Sequence, residues 1–237
     1  MTTVHKNEAN DSSVAGRCSR MAAEYDSSKD AQDWRGPEVI FGLVYAFVRA
    51  GESLLDIGIG TGLSSVLFHK AGLRVHGMDV SPQMLEVCAK KNFAEDLKVH
   101  DMTVEPYPYP TASFDHAVCI GVLNHFDDLA PVFRETSRVL RDNGTFAVVV
   151  GDRREGESPG FEVPHAGSTV TMFRHSAEQI RALLQETGFA PLRELEFAAT
   201  GHEDRAQPLR LRAYVARRQE RDEREHCDDG PTEGTGA

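Results

Sequence analysis

The chain has 237 residues, and 40% of them are hydrophobic, which is enough to bury the core of one domain. Its formal net charge is −11, and its Lys and Arg residues form no dense run, which disfavours nucleic acid as the main partner because binding phosphates requires a basic face. The sequence shows no secretory signal pattern and no apolar stretch long enough to span a bilayer, so we expect a cytoplasmic protein without a membrane partner.

The two ends of the sequence differ in composition from the middle. Residues 1–20 are predicted to be disordered because polar residues dominate the start of the chain, and residues 218–237 because mixed charge gives way to Gly and Thr. Residues 21–217 predict a single domain, which contains Trp34, the one tryptophan of the sequence. This side chain either walls a substrate pocket or anchors its segment to the core, and both interpretations stay open here.

The first helix of the predicted domain begins near Pro37, since proline suits the first turn of a helix. Apolar residues recur at helical spacing from Val39 to Val48, which predicts that the helix packs on the core. Gly51 then ends this helix ahead of a new apolar stretch.

A glycine-rich turn follows the first predicted strand. The strand Leu54–Ile57 runs into Gly58, Gly60 and Gly62, and a helical pattern continues to Ala71. Glycine permits a tight turn and lets a ligand lie against the main chain, since no Cβ intervenes. The N-terminus of the following helix offers free N–H groups and the positive end of a dipole, which favour an anionic group such as a carboxylate.

A second apolar strand, Val75–Asp79, ends in an acidic residue. Asp79 lies about 20 residues beyond the glycines, where a dinucleotide-binding fold places the acid that binds ribose. The NAD fingerprint requires Gly or Ala at the position that Leu63 occupies, so the spacing favours an adenosine ligand other than a dinucleotide. An NAD(P)-dependent oxidoreductase therefore remains as the less favoured alternative.

The rest of the chain continues the alternation of strands and helices. Ser81 as N-cap with Pro82 behind it predicts a helix, and Ser176 with Gln179 forms a capping box that predicts another. Residues 151–165 are rich in Gly, Pro and charge and predict irregular structure. Further strands are predicted over residues 97–101, 114–120, 145–150, 192–198 and 209–216, and residues 169–174 are predicted to be extended.

Four segments in one order give the chain a family resemblance. The segments are Asp56–Gly62, Gly77–Leu85, Asp101–Met102 and Phe114–Cys119. Together they resemble the class I S-adenosylmethionine (SAM)-dependent methyltransferases that act on small molecules, and the similarity covers roughly residues 37–217. The resemblance implies a doubly wound α/β fold, with a mostly parallel seven-stranded sheet and an antiparallel final strand. It also implies SAM as cofactor and S-adenosylhomocysteine as its product.

The resemblance implies roles for individual residues. Asp56 would help to orient the ammonium group of SAM, directly or through water. Asp79 would accept hydrogen bonds from both ribose hydroxyls with its two carboxylate oxygens. The methionine portion would lie on Gly58, Gly60 and Gly62. Further cofactor contacts are implied for Tyr25, Val80, Met84, Asp101, Met102, Ile120 and Gly121.

Two of these residues have a simpler alternative interpretation. Tyr25, followed by Asp26, resembles the N-terminal segment that folds over the cofactor in many members of the family, but it also fits a surface helix with one half-buried tyrosine. Asp101 would bind the adenine amino group, but a strand-end aspartate also caps turns.

His125 is the predicted catalytic residue. Methyl transfer from a sulfonium is an in-line displacement, so the protein mainly supplies position and desolvation, although an acidic acceptor still has to lose a proton. His125 lies just past the fourth predicted strand, and His165 and His175 are the next candidates for a base. A histidine in a loop is more often a wall or surface residue than a base, and this alternative stays open for all three.

No metal site is predicted. Asp142 and Asn143 resemble one part of the metal site of catechol methyltransferases, but they lie in a turn that opens toward the N-terminal edge of the sheet, away from the ligands.

The predicted function is SAM-dependent methyl transfer to a small molecule, in secondary metabolism. The acceptor atom, which could be O, N, S or C, is left open. A non-catalytic SAM-binding partner subunit is the alternative from another class of protein, and methyl transfer by the purified chain alone distinguishes the two.

Overall fold

The structure, a computed structural model, describes residues 14–31, 34–165, 168–199 and 209–220. Nine strands occur in this part of the chain, and most of them consist of apolar or β-branched residues, which favour extended backbone. Their bounds are Ser53–Ile57 (β1), Arg74–Asp79 (β2), Ala94–Val99 (β3), Phe114–Cys119 (β4), Leu140–Gly151 (β5), Gly160–His165 (β6), Ser168–Phe173 (β7), Phe189–Ala199 (β8) and Leu209–Arg218 (β9).

Seven of the strands form one sheet, in the order β3-β2-β1-β4-β5-β9-β8. The first five strands of the chain pair in parallel, whereas β9 runs antiparallel to both β5 and β8. This arrangement confirms the predicted doubly wound, mostly parallel sheet with an antiparallel final strand. Because β1 and β4 are central neighbours, their carboxyl ends meet at one edge of the sheet, where this class of fold binds ligands.

Helices cover both faces of the sheet, and two of them begin as predicted. The Ser81 hydroxyl accepts a hydrogen bond from Met84 N at 3.2 Å, and the capping box between Ser176 and Gln179 is formed. The helices are Val14–Met21 (α1), Tyr25–Ala31 (α2), Gly36–Val44 (α3), Ser65–Lys70 (α4), Pro82–Lys90 (α5), Ala130–Val139 (α6) and Ala177–Glu186 (α7).

Each face of the sheet has its own apolar core. On one face Phe133 of α6 meets Phe146 of β5 edge to face, with ring centroids 5.2 Å apart. On the other face Ile40 of α3 and Phe68 of α4 are fully buried against the strands. Burial on both faces explains why the central strands are almost continuously apolar. Within the described ranges no helix has the length and apolar character needed to cross a membrane.

The predicted N-terminal disorder over residues 1–20 is wrong where the structure describes this segment, since α1 covers Val14–Met21. The Ser19 hydroxyl donates a hydrogen bond to Gln83 Oε1 at 2.7 Å and lies 2.9 Å from Ser81 Oγ. These contacts tie α1 to the start of α5, and local composition could not show them because the partners are distant in sequence. Residues 1–13 and 221–237 lie outside the described residues.

Residues 151–165 were predicted as irregular, but they contain β6, which pairs with β7 in an antiparallel hairpin. The predicted extended stretch over residues 169–174 corresponds to β7, Ser168–Phe173. The hairpin leaves the sheet at Gly151 and returns at His175, and its two ends are joined there, since His175 N donates to Gly151 O at 2.8 Å. The third strand also differs from its prediction, because β3 ends at Val99 and Asp101 follows it in a turn.

Candidate functional site

The glycine-rich turn lies at the carboxyl end of β1, and its glycines have different structural roles. All three have positive φ, at 77° for Gly58, 54° for Gly60 and 82° for Gly62. A Cβ on Gly62 would lie 2.5 Å from a ring carbon of Phe93, so this glycine allows close packing of the core. A Cβ on Gly60 would meet only Asp79 Oδ2, at 4.0 Å, within the described structure. Gly60 is therefore the position where a ligand can approach the main chain.

A Cβ on Gly58 would instead clash with the side chain of Met102, whose Cε would be 2.9 Å away. Met102 is itself only 7% exposed, and Val122 packs beside it against the same glycine. The two side chains thus line the turn on the side where the resemblance places the adenine ring.

Asp79 ends β2 and faces the turn. Its Oδ2 accepts a hydrogen bond from Gly60 N at 2.9 Å, and its Oδ1 accepts one from Ser81 N at 2.8 Å. Burial raises the pKa of Asp79 above its usual value, and these backbone donors oppose the rise. Each carboxylate oxygen keeps a second lone pair, which can accept a hydrogen bond from a hydroxyl of a ligand.

Asp56 lies beneath the turn rather than at its surface. It is 1% exposed, and Ser65 donates a hydrogen bond from its hydroxyl to Asp56 Oδ2 at 2.6 Å. Burial raises the pKa of Asp56 to about 7, the charge of Asp79 adds to the rise, and the Ser65 hydroxyl opposes it. The Asp56 carboxyl is therefore packed beneath the turn. Its contact with the ammonium group of SAM stays a prediction.

The remaining predicted cofactor residues on β2, α5 and the β3 exit differ in exposure. Met84 is buried in α5, and Val80 is half-buried beside Asp79. Asp101 is exposed, and its Oδ1 accepts hydrogen bonds from Thr103 N at 2.9 Å and Thr103 Oγ1 at 2.8 Å. The alternative interpretation of Asp101 as a turn cap is therefore realised, while its adenine contact stays a prediction.

Helix α2 is fastened to the glycine-rich turn. Thr61 donates its hydroxyl to Asp26 Oδ1 at 2.5 Å, and Lys91 at the end of α5 forms an ion pair with Asp26 Oδ2. Tyr25 begins this helix, and Lys29 Nζ lies 5.3 Å from the centroid of its ring. The structure thus brings the predicted N-terminal segment to the cofactor side of the sheet.

Next to the turn, a pocket of about 100 Å³ opens at the carboxyl edge of the sheet. Trp34 forms one wall, and its ring lies 3.4 Å from the position that a Cβ on Gly121 would take. Ile120 precedes Gly121 at the end of β4 and is 8% exposed. The pocket, which we call the edge pocket, is lined by residues of the N-terminal segment and the β4 exit: Tyr25, Lys29, Trp34, Gly121 and Asn124.

The rest of the lining of the edge pocket comes from β5, the hairpin and the final strand pair. It consists of Val149, Val150, Gly151, Met172, Ala199, Leu209 and Leu211. Asn124 joins the two parts of the lining, since its Nδ2 donates to Met172 Sδ at 3.6 Å. No sequence pattern indicated Asn124, Lys29 or Met172, because their meeting depends on how the hairpin packs on the 3₁₀ turn after β4.

The predicted base is next to the edge pocket rather than in its lining. His125 ends a 3₁₀ turn at Leu123–His125. Among the described residues, its neighbour Asn124 lines the edge pocket, whereas His125 does not. His175 is buried in a second cavity beside Asp127 and Gln179, and burial lowers its pKa below the ordinary value. The side chain of His165 lies outside the described part of the structure.

Comparison with known proteins decides what this site belongs to. Residues 55–148, which include the turn, Asp79 and the β4 exit, match a family described as a methyltransferase domain. Over these residues the chain carries a methyltransferase domain, in agreement with the resemblance to class I SAM-dependent methyltransferases. The cofactor of this family is SAM, so the nicotinamide cofactor that we weighed from the glycine spacing is set aside.

Two relatives show how far the similarity to other methyltransferases extends. An uncharacterised methyltransferase of Bacillus subtilis is 32% identical over 54% of this chain and 55% of its own length. The 27-O-demethylrifamycin SV methyltransferase of Amycolatopsis mediterranei is 34% identical over 61% of this chain and 56% of its own length. The chain thus spans little more than half the length of these relatives.

A solved structure supports the same methyltransferase fold. The 1,6-didemethyltoxoflavin-N1-methyltransferase of Burkholderia thailandensis, solved with its acceptor and S-adenosylhomocysteine, superposes with a TM-score of 0.60. The match covers 86% of this chain and 87% of that chain at 19% identity, a level that shows the fold alone.

Proposed function

We propose that this chain transfers the methyl group of SAM to a small-molecule acceptor bound in the edge pocket. The observation that carries the proposal is the position of Gly121, which belongs to the predicted cofactor contacts and also lines the edge pocket. A cofactor on the glycine-rich turn and an acceptor in the edge pocket would therefore share Gly121, as well as Tyr25 of α2, and they would meet at the carboxyl end of β4.

The chain's own residues would bind and orient the two reactants. Asp79 would accept the ribose hydroxyls, and the main chain at Gly60 would lie against the methionine portion, since open space exists there. When bound, SAM supplies a methyl group on a positively charged sulfur, which is a good leaving group. Trp34 and α2 would exclude water from the reacting atoms and hold the acceptor in line, which can supply a large part of the rate.

The size of the edge pocket and the names of the relatives support a small-molecule acceptor. The Amycolatopsis and Burkholderia proteins are named for such acceptors, a rifamycin and a toxoflavin precursor. Lining residues of the pocket are mostly apolar, which also fits a compact organic molecule better than a polymer.

Calorimetry with SAM and S-adenosylhomocysteine, followed by an assay for S-adenosylhomocysteine formation, tests the proposal. The purified chain is incubated with SAM and the small-molecule fraction of a cell extract, and the new product is sought by mass spectrometry. We expect binding of both ligands and cofactor turnover that depends on the extract. Cofactor binding without turnover for any fraction would favour the non-catalytic partner subunit, and no cofactor binding would refute the proposal.

Asp79→Ala gives the matched variant for the cofactor site. It removes charge-assisted hydrogen bonds worth roughly 1.5–3 kcal/mol each, so we expect SAM to bind at least about tenfold more weakly. Glu95→Ala, a change of an exposed acid at the edge strand β3, is the control and should leave the affinity for SAM unchanged. Equal binding by wild type and Asp79→Ala would contradict the ribose contact.

A further inference from the structure

We infer that the acceptor taken by the edge pocket is a planar, largely apolar molecule that carries an anionic oxygen group, such as a carboxylate or an ionised phenol. This inference rests on the proposed function and narrows the class of its acceptor. Three features of the pocket support it: the aromatic wall formed by Trp34, the positive charge of Lys29 and the polar amide of Asn124.

The aromatic wall favours a flat molecule. Trp34 lines the pocket, and its ring packs against two glycines, since a Cβ on Gly36 would lie 2.2 Å from it and a Cβ on Gly121 3.4 Å from it. An indole packed in this way offers a fixed flat surface, on which planar molecules stack better than saturated ones. Met172 also lines the pocket, and its flexible thioether adapts to the shape of a ring.

The charge of the edge pocket is opposite to that of the chain. The whole sequence has 37 Asp and Glu against 26 Lys and Arg, but none of the described residues that line the pocket is acidic. Lys29 lines it and is half-buried, with its ammonium group over the Tyr25 ring. An ammonium at an apolar, partly desolvated wall attracts an anion more strongly than one in water does. Among the described lining residues, a cationic acceptor would find no counter-charge.

Asn124 supplies the polar contact next to the β4 exit. Its amide donates to the sulfur of Met172, which is a weak acceptor, so the same N–H can turn to a better acceptor at little cost. An anionic oxygen between Lys29 and Asn124 would receive two donors, one of them charged. The apolar remainder of the molecule would then lie against Leu209 and Leu211.

Binding of three matched probes tests the inference on the full chain saturated with S-adenosylhomocysteine. The probes are trans-cinnamate, which is planar and anionic, trans-cinnamamide, which is planar and neutral, and 3-cyclohexylpropanoate, which is anionic but not planar. Trp34 is the one tryptophan of the sequence, so quenching of its fluorescence reports binding at this wall, and calorimetry gives the affinities. We expect cinnamate to bind at least about tenfold more tightly than either of the others.

Variants locate the preference. Lys29→Met should reduce the affinity for cinnamate to that for cinnamamide, while Lys29→Arg keeps the difference. Lys70→Met, a change of an exposed lysine in α4, is the control and should have no effect. Asn124→Leu should weaken the binding of cinnamate several-fold. An unchanged affinity would contradict the inference and would place the probe in the neighbouring cavity, which is lined by Lys29, Trp34 and Arg35.

Equal affinities for the three probes, or a preference for cinnamate that survives Lys29→Met, would overturn the inference. Tighter binding of phenethylamine, a cationic probe, would overturn it as well. None of these outcomes touches the proposed function, which fails only if S-adenosylhomocysteine does not bind or no acceptor is methylated. The two failures are therefore distinguishable in one set of experiments.

Discussion

The hydroxyl of Thr61 in the glycine-rich turn donates a hydrogen bond to the Asp26 carboxylate of α2 at 2.5 Å. The two residues are 35 positions apart, and Lys91 from α5 completes the contact on the other carboxylate oxygen. Thr61 is only 1% exposed, so the hydrogen bond is shielded from water. It joins the N-terminal segment to the glycine-rich turn, which a cofactor would touch. Binding of the cofactor and docking of α2 should therefore be coupled.

Asp26→Ala is expected to loosen α2 and to weaken SAM binding several-fold. The change removes the acceptor of Thr61 and the partner of Lys91, so amide hydrogen exchange over residues 25–31 should become faster. In the wild type, S-adenosylhomocysteine should slow this exchange, as the predicted closing segment around Tyr25 requires. Asp96→Ala removes a comparable pair with Lys98 on the exposed edge and is the control. If hydrogen exchange in α2 is the same with and without ligand, α2 does not close over the cofactor and has only a structural role.

Asp101→Ala tests the adenine contact apart from the turn that the same residue caps. We expect SAM to bind several-fold more weakly to this variant if the carboxylate accepts a hydrogen bond from the adenine amino group. S-inosylhomocysteine, which lacks that amino group, separates the roles in a calorimetric comparison with S-adenosylhomocysteine. Wild type should prefer the adenosyl ligand, and Asp101→Ala should lose the preference. A preference that persists in the variant would show that Asp101 caps its turn and does not bind the adenine amino group.

The pKa of Asp56 predicts how stability depends on pH. Burial raises this pKa from 3.8 to about 7, so between these values the unfolded chain has lost the proton that the folded chain still holds. The unfolded state binds fewer protons there, and the free energy of unfolding should fall as pH rises from about 4 to about 7, by an amount on the order of a few kcal/mol.

Asp56→Asn, measured by urea unfolding across this pH range, should remove that slope. The amide can still accept the Ser65 hydroxyl, so the variant is expected to be more stable than wild type near pH 8. Ser65→Ala removes the group that lowers the pKa and should extend the slope to higher pH. A wild-type curve that is flat over the range, or unchanged in Asp56→Asn, would contradict the raised pKa.

His125→Ala is expected to lower kcat while the Kd for SAM stays within a few-fold. A general base contributes about 10²–10⁴-fold, so a loss in this range supports proton removal, and recovery by His125→Asn would support a positioning role instead. Asn124→Ala is the informative comparison, because this neighbour lines the edge pocket. A change in KM for the acceptor in Asn124→Ala with no effect of His125→Ala on kcat would move the acceptor contact to Asn124.

Local patterns in the sequence predicted the parts of the fold that depend on local physics. The glycine-rich turn and the caps at Ser81 and Ser176 follow from spacing and from backbone hydrogen-bonding rules. The mostly parallel order of the strands was implied by the family resemblance. The approach of Asp79 to Gly60 follows from that order, because both lie at the carboxyl ends of neighbouring parallel strands.

The edge pocket could not be predicted in the same way. Its Asn124–Met172 contact joins residues 48 positions apart, and for Trp34 the sequence left both a pocket wall and a core anchor open. Strand β6 was missed because Gly, Pro and charged residues around it are typical of loops, and its pairing with β7, which was predicted as extended, joins no other strand. The helix α1 was missed because Ser19 finds its partners in α5.

The joined ends of the hairpin separate it from the rest of the fold. Gly151 and His175 are hydrogen-bonded to each other, so the chain leaves the end of β5 and comes back beside it before it enters α7. The seven strands of the large sheet pair without the residues between these two anchor points. Insertions or exchanges there would therefore reshape the edge pocket while the glycine-rich turn keeps its geometry. If the edge pocket binds the acceptor as we propose, this segment is the place at which new acceptor preferences could be grafted onto an unchanged cofactor-binding scaffold.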